Sequence, residues 1–105
     1  DTRPTLVKHY RRYKFLGFGY TYLGFNLKRA PFDEPRVREA IAYAIDRQEV
    51  VDGVLLGLGE VIATPYKPGT YWVNKDIKPR PYAPDRARQL LREAGWIDHD
   101  GDGMV

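Results

Sequence analysis

The chain contains no cysteine and no serine. The first absence excludes disulfides, thiolate metal centres and cysteine nucleophiles, and leaves the redox compartment open. The second excludes a serine nucleophile. Histidine is nearly missing: His9 and His99 stand near opposite ends of the sequence, where surface residues are expected rather than a catalytic pair. No apolar run approaches the ~20 residues of a membrane-spanning helix. No secretion signal opens the chain, since Asp1-Thr2-Arg3-Pro4 is polar and no apolar core follows; the segment is expected to come from a longer precursor. A glycine-rich phosphate loop is absent too, because Gly17, Gly19 and Gly24 match neither glycine fingerprint. These absences argue against an enzyme: no catalytic residue, no metal ligand set and no cofactor is expected.

What is present fits one small soluble domain or a piece of one. The 105 residues are 43% apolar and 30% charged, the balance of a globular rather than a disordered chain. Net charge is +3, from 17 basic and 14 acidic residues. Part of the excess lies in Lys8-His9-Tyr10-Arg11-Arg12-Tyr13-Lys14. Basic residues interleaved with aromatics can bind nucleic acid. Seven residues without a framing motif fit a solvated strand face better, so a stand-alone interaction domain binding nucleic acid is the alternative reading, and no nucleic-acid partner is expected.

Residues 10–26 are dense in Tyr, Phe and Leu, which favours strand, and Gly17 and Gly19 suit a bend between two short strands. Pro31 closes this segment because it cannot donate a ladder hydrogen bond. A helix is then expected over about 34–46. Asp33 is placed to cap it, Pro35 suits its first turn, and Glu34 and Arg38 have i,i+4 spacing. Val37, Ala40, Ile41, Ala44 and Ile45 form one apolar stripe. Ile41 and Ile45, at its middle, are expected to be fully enclosed against a sheet made from residues around 20–26. A second helix is expected over about 47–57, with Asp46 and Glu49 at capping-box spacing and Gly57 as its left-handed stop. Residues 59–82 hold four prolines, which exclude a helix. A structureless loop of that length is unusual unless its large side chains or a partner pin it. The third helix spans about 84–94, with Ala87, Leu90, Leu91 and Ala94 on its apolar face and Gly95 at its end. Finally, Asp98, Asp100 and Asp102 have the spacing of a calcium loop, with Gly103 at the sharp-turn position. The sequence stops before a closing bidentate acid, and Asp-Gly pairs make ordinary turns, so a turn is expected there.

Taken in order, the motifs resemble those of the family-5 extracellular solute-binding proteins, which capture peptides, nickel and related solutes for ABC importers. The residues that carry the resemblance are Tyr22, Leu23, Phe25 and Asn26; Pro31 and Phe32; Arg36, Val37, Arg38, Ala40 and Ile41; Ala44, Ile45, Asp46 and Arg47; Gly57; and, further on, Tyr82, Pro84, Ala87, Leu90, Leu91, Ala94, Gly95 and Trp96. One position departs: Ala83 stands where the family usually places a capping aspartate.

The resemblance implies an α/β fold, here a fragment of a periplasmic-binding-protein-like lobe. It would have short strands near residues 13–26, the three helices above and the long Pro-rich loop. It implies that residues 1–105 are a single segment excised from the C-terminal lobe of a longer parent, working outside the cytoplasm, periplasmic or lipid-anchored on the cell surface. The expected partners are a peptide-like or other small solute, the remainder of the parent chain and, through the parent, an ABC permease. Tyr20, Tyr22 and Asn26 at the strand end, and Tyr71 and Trp72 in the long loop, are the expected ligand contacts: open α/β sheets place ligands where a strand meets a helix start, and aromatics exclude water from a ligand while stacking on it.

Overall fold

The computed structural model describes residues 3–103. Its elements are α1 (Pro4–His9), α2 (Pro35–Ala44), α3 (Arg47–Glu49), a π-helical turn (Val50–Val54) and α4 (Pro84–Glu93). Two of the expected helices are present, slightly shorter than their periodic patterns. The second begins where expected, but α3 gives way at once to the wider π turn, closed by Leu55 N donating to Val50 O at 3.1 Å. Gly53 sits inside this turn, and a glycine lowers the barrier to departing from α geometry. Leu56 and Gly57 then both take positive φ, 50° and 70°, and end the helical path. The short α1 was not signalled by any apolar stripe.

Residues 10–26, expected to be strands, form no strand, and no strand occurs among the described residues. A strand is completed by a ladder partner, and residues 10–26 make no ladder with another described segment. The described residues therefore form helices without the sheet that the expected α/β class requires.

The core is a pair of helices. α2 and α4 run antiparallel and are tied at both ends: Arg36 Nη1 donates to Glu93 O at 2.8 Å, and Ala83 N donates to Tyr43 O at 2.9 Å. Ala40, Ala87 and Leu90 are buried between them, with Tyr43 and Leu91 packed on the margin. Val37 and Val51 are the other buried hydrophobics among the described residues. Two alanines at the crossing let the helix backbones approach and let Leu90, 2% exposed, fill the space between.

This arrangement corrects the expectation for Ile41 and Ile45. Both are half-buried, and Ala44 is exposed. The centre of an apolar stripe is decided by what packs on it. Here the partner is α4, which packs on α2 around Ala40 and Tyr43, and no sheet forms from residues 20–26 to enclose the isoleucines.

The caps show a similar displacement. Glu34, not Asp33, is the N-cap of α2: its Oε1 accepts from Arg36 N at 3.2 Å and from Arg36 Nε at 2.9 Å. The expected Glu34–Arg38 pair gives way to this bond, and Arg38 Nη1 instead donates to Phe32 O at 2.6 Å and Asp33 O at 3.0 Å. Asp46 caps α3 as expected, accepting from Gln48 N and Glu49 N, each at 3.0 Å. Ala83 offers α4 no side-chain cap.

The molecule is extended, 61 × 36 × 23 Å, with a radius of gyration of 18.9 Å. A compact domain of this length has about 13 Å. Accessible surface is 9223 Å², against about 6,000 Å² for a compact monomer of this mass.

Candidate functional site

Tyr20 and Tyr22 stand two residues apart in the irregular segment before α2. Their ring centroids are 5.9 Å apart at an interplanar angle of 48°. Gly24 makes room for this pair, because a Cβ there would come within 3.3 Å of Tyr22 Cε2. Both tyrosines are exposed.

Asn26 ends the segment, and its side chain already has a local task. Oδ1 accepts from Lys28 N at 3.1 Å, and the backbone carbonyl accepts from Arg29 N at 3.2 Å. Phe32 N then donates to Arg29 O at 2.9 Å, and Phe25 stacks near Phe32 with centroids 5.3 Å apart. Asn26 thus turns the chain towards α2, the Asx-turn use that short amides favour, through its Oδ1 rather than its Nδ2.

Tyr71 and Trp72 stand edge to face, centroids 5.4 Å apart and planes at 81°. They are held out by a tight turn in which Thr70 Oγ1 donates to Lys67 O at 2.7 Å and Gly69 takes φ +80°. Tyr71 is 92% exposed. The structure therefore arranges these residues as two separate aromatic pairs and one turn-forming amide. The link it shows between the two regions is one that sequence reasoning missed: Lys67 Nζ lies 4.6 Å above the Phe18 ring. Phe18 was legible only as part of an aromatic run, and nothing in the sequence pairs it with Lys67.

Arg80 was missed as well. It closes the long loop onto α2, donating from Nη1 to Glu39 Oε1 at 2.8 Å and lying 5.4 Å from the Tyr43 ring centre, while its carbonyl accepts from Arg47 Nη1 at 2.9 Å. The long loop is thus pinned at its far end by charge rather than by its aromatics.

The acidic turn near the C-terminus has the geometry of a turn. Asp98 Oδ1 accepts from Gly101 N at 2.6 Å and Oδ2 from Gly103 N at 2.9 Å. These two backbone donors hold the Asp98 carboxyl below the usual aspartate range, Gly103 contributing most. Carboxylate oxygens of Asp98, Asp100 and Asp102 come within 4.8 Å of one another, but both of Asp98's are engaged by the backbone. Met104 and Val105 of this segment lie outside the described residues. The basic segment Lys8–Lys14 is exposed throughout.

Comparison with known proteins gives these features a setting. The sequence profile of the bacterial extracellular solute-binding proteins, family 5 Middle, matches residues 2–105. The oligopeptide-binding protein AppA of Bacillus subtilis is 41% identical over 92 residues, covering 86% of this chain and 17% of that protein. Heme-binding protein A of Haemophilus influenzae is 39% identical over 80 residues, 76% of this chain and 15% of its own length. The nickel-binding periplasmic protein of Escherichia coli is 38% identical over 74 residues, covering 70% of this chain and 14% of the relative. The solved structure of B. subtilis AppA in complex with a nonapeptide superposes with a TM-score of 0.69 at 41% identity, over 76% of this chain and 16% of that one. The chain belongs to the family 5 bacterial extracellular solute-binding proteins. It spans about a sixth of the length of the relatives it matches. Among the described residues no helix is long and apolar enough to cross a membrane.

Proposed function

We propose that this chain is a segment of one lobe of an extracytoplasmic solute-binding protein, and that the complete protein captures a peptide-like solute and presents it to an ABC importer. The observation that carries this is the likeness to the nonapeptide-bound AppA structure, at a TM-score of 0.69 and 41% identity over 76% of the chain. The solute class is taken from that relative and from the dipeptide-binding and glutathione-binding proteins that also match; the heme and nickel proteins mark the range the family accommodates.

The shape supports the segment reading. Many large aromatic and aliphatic side chains are exposed, among them Phe15, Phe18 and Tyr22 in residues 10–26 and Leu56 and Leu58 after the π turn. Such a surface is the face of a larger core. In the complete protein residues 13–26 pair as strands, which restores the α/β lobe and covers Ile41 and Ile45. Tyr20, Tyr22, Asn26, Tyr71 and Trp72 then stand at the cleft, offering ring faces to side chains and Asn26 Nδ2 to a peptide carbonyl. The segment itself carries no catalytic step.

The test is calorimetric titration of the full-length protein with peptides of two to nine residues. Saturable binding of a peptide, much tighter than to the 105-residue chain alone, is expected. Failure of every peptide to bind, with tight binding of nickel or heme instead, would overturn the peptide assignment while leaving the solute-binding class intact.

A further inference from the structure

We propose that the cleft between the end of α2 and the returning loop binds a small organic oxyanion, a phosphate or carboxylate on a short apolar body. The cleft has a volume of about 480 Å³, within the range of small-molecule sites. Its lining is more polar than apolar: Ala42, Ile62 and Ile77 contribute a smaller apolar patch, and all of its charged lining residues, Arg47, Lys78 and Arg80, are positive. Two of the three cations are already positioned. Arg47 is half-buried and held by its 2.9 Å bond to the Arg80 carbonyl. Arg80 is held by Glu39 and by the Tyr43 ring. Glu39 offsets one positive charge, so the cleft retains an excess of about two. A guanidinium fixed through one N–H keeps others for an incoming oxyanion, and pre-positioning reduces the ordering cost of binding. A neutral ligand would cover the apolar patch but leave these donors unused. An inorganic ion would satisfy the donors but leave that patch wet. The inference rests on the cleft alone and not on the solute-binding proposal, since none of the five residues assigned to the solute lines it.

The experiment is an NMR titration of the ¹⁵N-labelled full-length protein with phenyl phosphate, benzoate, inorganic phosphate and benzyl alcohol. Saturable shifts of the amides of residues 62–63 and 77–80 are expected with phenyl phosphate, benzoate or both, and whichever binds tighter names the acidic group. Inorganic phosphate and benzyl alcohol are each expected to bind more weakly. Lys78→Ala, which removes an exposed side chain and should not disturb folding, is expected to weaken binding about fivefold, while Lys75→Ala on the same loop changes it by less than about twofold. Shifts that never saturate, equal binding of benzyl alcohol, or equal loss in the two lysine variants would each overturn the proposal.

Discussion

At the scale of single residues, the Asp98 turn makes the cleanest electrostatic prediction. Its carboxylate accepts two backbone hydrogen bonds, which favour the ionised form and lower its pKa. A lowered folded-state pKa means that the turn's stabilisation is fully present above the ordinary aspartate value and is lost as pH falls through the depressed one. The amide shifts of Gly101 and Gly103 should therefore titrate with a midpoint below 3.8, the value of an unperturbed aspartate. A midpoint at or above that value would mean that the turn is not formed in solution. Asn26 makes the functional prediction at this scale. In the full-length protein, Asn26→Ala should weaken peptide binding by up to about tenfold, the effect of one hydrogen bond. Because Oδ1 also shapes the turn before α2, this variant alone could lose affinity through the turn. Asn26→Asp separates the two roles: it keeps the turn acceptor and removes Nδ2, so it should preserve stability while still losing affinity. Unchanged affinity in both variants would remove Asn26 from the site.

At the scale of elements, the α2–α4 pair holds whatever stability the isolated chain has. Leu90→Ala should cost about 2–5 kcal/mol, the range for emptying a buried site, and should largely unfold a chain with so small a core. Ile41→Ala, at a half-buried position, should cost clearly less. Thermal melts followed by circular dichroism compare the two, and equal melting temperatures would show that the crossing is centred on the wrong residues. Ala83→Asp should stabilise by about 1 kcal/mol, because it gives the uncapped start of α4 a side-chain acceptor.

These elements also show where sequence reasoning stops. The helices α2, α3 and α4 were legible because their apolar residues recur at helical spacing and because Pro35, Pro84 and Asp46 mark their starts, whereas α1 carries no such pattern. Which residue caps was less legible: Glu34 displaced Asp33 because Arg36 bonds it twice, a choice made by side-chain reach rather than by residue type. The position of the core was less legible again. The stripe Val37–Ile45 names a face but not its partner, and the partner here is α4, some forty residues on. For the ligand contacts, aromatic type and position near a strand end pointed to five residues, yet Lys67 over Phe18 and Arg80 on Glu39 depend on chain reversals in a proline-rich loop with no periodicity to read.

At the scale of the whole molecule, the central proposal is that residues 13–26 become strands in a lobe of a longer protein. The extended shape, the exposed aromatics and the match to a sixth of AppA all follow from it. Hydrogen exchange of the backbone amides of residues 13–26, compared between the 105-residue chain and the full-length protein, tests it most directly. Rapid exchange in the chain alone and strong protection in alternating strand positions of the full-length protein are predicted. Equally rapid exchange in both would contradict the account.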